Sequence, residues 1–173
     1  MTPLAAYLFP FLVASVPLAD HSYYENIETT RDRYESIAET IAWVSIEAPV
    51  FEDDESGVRT GALLASIATY EGSLKAEIDT CAKGGDIDKN GVAHAWTLWQ
   101  VHAEKEKACA SRVAGATIAR EMIRISFKTC KSRAMLDRLS IYTDGSCHSN
   151  WKRSRHRMGR AMNWVALHPF TDE

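Results

Sequence analysis

The stretch 58–74, VRTGALLASIATYEGSL, decides the architecture. Leu63, Leu64, Ile67 and Ala68 recur at helical spacing, which predicts a helix over about Val58–Tyr70 with an apolar inner face. Four residues on from Ile67, the same face reaches Glu71, so a carboxylate closes an apolar stripe. Gly72 then ends the helix. Upstream, Tyr34, Ile37, Ile41, Val44 and Ile46 give a second amphipathic helix over Arg31–Ala48, stopped near Pro49. The acidic run Glu52–Glu55 with Ser56 and Gly57 joins the two as a loop.

Downstream, residues 73–95 hold Gly84, Gly85, Gly91 and several Asp and Lys residues without a sustained period. They predict a long irregular connection, the kind of loop that often carries function, with room for a small hairpin in 80–95. The apolar-aromatic run Trp96–Val101 follows. Ala114, Ile118, Met122 and Ile125 then mark a helix over about Ser111–Lys128, with shorter helices expected over Met135–Tyr142 and Trp151–Val165. No repeat or alternating strand pattern competes, so the expected class is mainly α, with one domain over 31–173 preceded by an apolar arm or anchor over 1–30. A chain of 173 residues suits that count.

Residues 1–19 are almost wholly apolar but interrupted by Pro3, Pro10 and Pro17, with no Lys or Arg ahead of them. That is a poor secretory signal and a short membrane span. The preferred expectation is an arm packed on the domain or on a partner protein; the alternative is a membrane-inserting segment. The net charge of −3 is unevenly spread, since residues 1–55 carry eleven acids against Arg31 and Arg33. The basic run Lys152, Arg153, Arg155, Arg157 and Arg160 reads either as a solvated helix face or as a surface for an anionic polymer, cell wall or nucleic acid.

Four cysteines permit three complete pairings. Cys130 and Cys147 flank a helix-like segment and a Gly-containing turn and are the expected first pair, leaving Cys81 with Cys109; four reduced, buried thiols are the alternative. The six histidines form no HExxH pair, so a zinc peptidase is not expected. Asp86-Ile-Asp88-Lys-Asn90-Gly91 copies the start of a calcium loop, but its twelfth position is Thr97 in place of the bidentate glutamate, which favours an Asx-rich turn. There is no phosphate-cradling glycine motif, and neither a cofactor nor a bound metal is expected.

Cleaving a glycosidic bond needs an acid to protonate the departing oxygen, and an inward-facing glutamate ending an apolar helix has the burial that keeps a carboxyl protonated. Glu71-Gly72-Ser73-Leu74 is followed by Ala95-Trp96-Thr97-Leu98-Trp99-Gln100 and later by Ile141-Tyr142-Thr143-Asp144-Gly145. This order resembles the lysozyme-like lytic transglycosylases, related to goose-type lysozymes, and phage-encoded members in particular. In that family a helix ends in Glu-Ser-x-Phe, a Gly-Leu-Met-Gln segment follows, and a Tyr-Asn-x-Gly turn closes the groove.

The resemblance, over roughly residues 31–165, implies Glu71 as the catalytic acid and Ser73, Trp99, Gln100 and Tyr142 as substrate contacts. Ser73 is displaced by one position, Leu74 stands for the aromatic, and Thr97, Trp99 and Thr143 replace glycine, methionine and asparagine. The implied substrate is the glycan strand of peptidoglycan. A transglycosylase needs only the one carboxylate, whereas a hydrolase wants a second, for which Asp79, Asp86 and Asp88 are candidates. Trp96 and Trp99 are read as sugar platforms or as core, one in each job. The implied setting is a virion-associated enzyme, or one delivered to the periplasm, with contacts to other virion proteins or a membrane through residues 1–19 and no specific nucleic acid. The alternative is a non-catalytic wall-binding or virion structural protein on the same frame.

Overall fold

A computed structural model describes residues 1–148 and 151–171; residues 149, 150, 172 and 173, which fall within the expected domain, lie outside the described residues. The chain runs α1 (Pro3–Ser15), a 3₁₀ turn (Leu18–His21), α2 (Ile27–Glu47), α3 (Ser56–Glu71), α4 (Ala76–Asp79), β1 (Gly85–Ile87), β2 (Ala93–Ala95), α5 (Lys105–Ala108), α6 (Arg112–Thr129), a second 3₁₀ turn (Met135–Asp137), α7 (Ser140–Asp144) and α8 (Lys152–Leu167). It is mainly α with one two-stranded antiparallel hairpin, registered Gly85↔Ala95 and Ile87↔Ala93.

The helix read from residues 58–74 is the hub of this arrangement. Ala62, Leu63, Leu64, Ala65, Ile67 and Ala68 of α3 are all fully buried, as expected of a helix enclosed on every side. It packs against α8, α2 and α1, while α6 covers the far side of α2. Small residues permit the closeness: a β-carbon on Gly61 would lie 3.0 Å from Leu8 of α1.

Local chemistry sets the helix starts. Asn26 Oδ1 accepts from the Thr29 amide at 2.8 Å, which starts α2 four residues before the expected Arg31. Ser111 Oγ accepts from Ala114 at 3.0 Å at the head of α6, and Thr2 Oγ1 from Ala5 at the head of α1. The helix expected over Met135–Tyr142 is instead the 3₁₀ turn plus α7, because Ser126 Oγ, deep in α6, takes the Ile141 amide at 3.1 Å and redirects the chain.

α1 packs into the domain. Leu4, Ala5, Leu8, Phe11 and Leu12 belong to the single core, and Phe11 meets Trp164 of α8 edge to face at 5.0 Å. Among the described residues no helix is long and apolar enough to cross a membrane.

Both disulfides join in the expected pairing: Cys81–Cys109 and Cys130–Cys147. The first ties the segment after α4 to the end of α5; the second ties the end of α6 to the chain beyond α7.

Candidate functional site

Glu71 is the last residue of α3, and its side chain is a quarter exposed. Its Oε1 accepts from Arg157 Nη2 of α8. The apolar wall expected around Glu71 is therefore replaced on one side by a guanidinium. Arg157 is itself 2% exposed, lies over the Tyr70 ring with its Cζ 3.9 Å from the centroid, and donates from Nη1 to Arg153 O at 2.9 Å. These contacts hold it rigidly. Among the described residues no hydrogen bond reaches Oε2 of Glu71, so one carboxylate oxygen is anchored and the other is not.

Arg157 was hidden in the sequence by its neighbours. The run Lys152–Arg160 does not form one solvated face: Arg155 pairs with Asp137 at 2.6 Å, and Arg157 turns inward. The signal was present in the spacing, since Ser154, Arg157, Met158, Ala161 and Val165 line the buried face of α8.

Tyr142, on α7, comes near Glu71. Its hydroxyl donates to Trp99 O at 2.5 Å. Burial first, then the nearby Glu71 charge, push this phenol well above its usual range, so it remains a donor. Gln100 sits at the end of the turn Trp96–Val101, which closes as an isolated antiparallel bridge. Its Nε2 donates to Thr97 O at 2.9 Å, and its Oε1 lies so close to Gly85 of β1 that a β-carbon there would overlap it. The hairpin thus roofs the glutamine. Gly72 presses on the same turn from the α3 side, where a β-carbon would come within 2.9 Å of Leu98 Cα and O.

This turn is held in left-handed backbone, with Thr97 at φ 66° and Gln100 at φ 47°, as are Ser73 at 47° and Leu74 at 50° just past Glu71. Non-glycine residues adopt such angles where surrounding structure over-determines them, a habit of functional sites.

Trp99 requires a correction. It is fully buried and donates its indole N–H to Leu64 O at 3.0 Å, so its ring is core and no sugar platform. The apolar α3 stripe claims it. Trp96 is only partly buried, with the Lys105 ammonium 4.6 Å from its ring centroid. Ser73, two residues past Glu71, lines a cavity whose lining includes none of Glu71, Gln100 and Tyr142.

The three aspartates considered as a second carboxylate differ in what binds them. Asp79, 1% exposed at its side chain, is gripped by Arg112 through two bonds of 2.8 and 2.6 Å. Asp88 closes the hairpin, its Oδ1 accepting from the Asn90 and Val92 amides, which hold its carboxyl below the usual range. The calcium-like motif is thus built as an Asx turn. Asp86 is exposed and faces His102 at 3.6 Å. Among the described residues no three His, Cys, Asp or Glu side chains converge as metal ligands.

No family model, curated protein or solved structure matches the chain.

Proposed function

We propose that this protein cleaves the glycan strand of bacterial peptidoglycan, with Glu71 as its acid and base. The observation that carries the reading is the Glu71 carboxylate itself: it ends the buried central helix, is aligned through one oxygen by Arg157, accepts no hydrogen bond at the other among the described residues, and lies near Tyr142. A single carboxylate so placed suits a transglycosylase. Asp79 and Asp88 are committed to Arg112 and to the hairpin amides, which leaves the exposed Asp86, 3.6 Å from His102, as the one of the three candidates still open to activate a water.

In this mechanism Glu71 acts in the form protonated on Oε2, its Oε1 still accepting from Arg157, and gives that proton to the leaving glycosidic oxygen. The sugar's N-acetyl group stabilises the positive anomeric carbon. Glu71, now ionised and opposed by Arg157, takes the proton of the sugar's own hydroxymethyl group, whose oxygen closes on the anomeric carbon to give an anhydro end. Gln100 and Trp96 would bind sugar hydroxyls and a sugar face.

Two disulfides support action in an oxidising setting such as the periplasm, consistent with a virion-associated or delivered enzyme. Contact of residues 1–19 with a membrane or a virion protein would use the outer face of α1, since the inner face is occupied by the core.

Glu71→Gln is expected to reduce clearing of purified cell walls about 10²–10⁴-fold, and mass spectrometry of products from the unaltered protein is expected to find anhydro ends. Undiminished clearing by Glu71→Gln refutes the role given to Glu71, and reducing ends would reassign the chemistry to hydrolysis. The second reading, a non-catalytic wall binder, draws on the occupied Oε1 and the altered Thr97, Trp99 and Thr143. It predicts a protein that sediments with peptidoglycan and releases no fragment.

A further inference from the structure

A cavity of about 520 Å³ lies where the end of α1 and the first 3₁₀ turn face the end of α3 and the start of α4. It is distinct from the groove at Gln100. His21, 7% exposed, lines it together with Val16, Asp20, Tyr24, Ser73 and Lys75.

The hydrogen bonds of His21 fix what it offers. Tyr34 Oη donates to Val16 O at 3.2 Å, and a hydroxyl has one proton to give. The His21 Nε2 that lies 2.9 Å from the same Oη must therefore be the donor. Burial, then the Arg33 charge, lower the pKa of this imidazole, so the ring is neutral near pH 7 and its Nδ1 carries a lone pair. Among the described residues nothing donates to that Nδ1. An acceptor without a donor among the described residues, on a largely buried ring, is thus held at the wall of a cavity large enough for a small ligand.

Two opposite charges flank it. Asp20 and Lys75 both line the cavity, and each is near enough for its charge to act on His21, in opposite senses. Neither forms an ion pair among the described residues. The other carboxylates are engaged: Glu25 holds Arg33 at 2.7 Å and Thr30 at 3.1 Å, and Glu77 faces Lys83 at 3.5 Å. An anion and a cation, neither ion-paired among the described residues and both lining the cavity with this acceptor, match a ligand bearing both charges on one carbon.

We propose that this cavity binds the zwitterionic head of an amino acid, its ammonium held by His21 Nδ1 and Asp20 and its carboxylate by Lys75 and the Ser73 hydroxyl. Val16 and the exposed Tyr24 ring are positioned to cover the methylenes that follow the head. The cavity also takes in Thr69 and Ser73, two residues either side of Glu71. Resting on the glycan-cleaving reading, we assign the head to the diamino acid of the wall's peptide, whose far end is such a zwitterion and which hangs from the sugar strand that Glu71 would cut.

Calorimetric titration of the full chain with meso-diaminopimelate tests the site apart from catalysis. Saturable binding is expected, weakened about tenfold or more in Lys75→Met and in Asp20→Asn, both exposed positions whose replacement leaves the core intact. Pimelate, which lacks the ammonium groups, and cadaverine, which lacks the carboxylates, are expected not to bind. Glu71→Gln should bind as the parent does. Absence of saturation, equal binding by pimelate or cadaverine, or unchanged binding in both variants would overturn the proposal. A disaccharide-peptide ending in diaminopimelate should bind more tightly than the free amino acid; equal affinity would overturn the assignment to wall peptide. Binding that persists in a chain unable to cleave walls would sustain this site while the role of Glu71 fell.

Discussion

Arg157 contributes more through placement than through charge. Its guanidinium is buried, stacked on Tyr70 and shared between Arg153 O and Glu71, while Glu71 is partly open to solvent, which weakens the pair's share of stability. Arg157→Met is expected to cost about 1–3 kcal/mol in urea unfolding, mostly from the lost hydrogen bonds and stacking. It should lower kcat on soluble glycan more than it raises KM, the sign of a positioning residue; Arg157→Lys should recover stability only in part, because an ammonium cannot reproduce the planar fork. His21 sets a pH dependence. Its pKa is below the ordinary 6.5 in the folded chain, so the unfolded state binds the proton more readily. The stability that follows is fully present above 6.5 and declines as pH falls from there towards the folded value. The thermal midpoint should drop between pH 7 and 5.5, and drop less in His21→Gln, which retains a donor for Tyr34. Glu71 was legible in sequence because a helical stripe ran straight into it. Arg157 and His21 were not, since a charge on a basic run and a lone histidine acquire meaning only from residues distant in sequence.

The turn Trp96–Val101 is shaped by what presses on it. Gly72 meets its backbone, whereas Gly85 meets only the end of the Gln100 side chain. The two glycines should therefore respond differently to the same change. Gly72→Ala has to displace backbone and is expected to cost about 1–3 kcal/mol. Gly85→Ala can be accommodated by swinging Gln100 away, so denaturant stability should barely change while wall-clearing activity falls severalfold. Equal stability losses in the two variants would contradict this reading. Sequence periodicity found the long helices because their apolar faces repeat several times. The strands of the hairpin, α4 and α5 span three or four residues each, too few for a period to register, so the sequence showed only room for a hairpin within 80–95. Trp99 shows the limit of motif reading: it stands beside Gln100 in the matched segment, but its own ring was decided by the apolar α3 surface beneath it.

At the scale of the molecule, the disulfides brace the two segments with the least core of their own. Neither α4 nor α5 has more than one buried residue, and α7 has only Ser140. Closing a loop of this length is worth about 3–4 kcal/mol in the chain-entropy account, and the sequence separations are 28 and 17. Replacing Cys81 and Cys109 together by serine is expected to cost about 2–4 kcal/mol, with activity lost before global unfolding as temperature rises, because the freed segment carries the hairpin over Gln100. The main helices should outlast it, as followed by far-ultraviolet dichroism. Their persistence follows from the core that unites α1, α2, α3 and α8, and it places α1 in a particular position in time. This apolar helix precedes in the chain every surface it packs on. Leu8 meets its α3 neighbour Gly61 early in synthesis, whereas Phe11 and Tyr7 wait for Trp164 and Phe170. The helix is therefore closed in two stages, by α2 and α3 first and by α8 later.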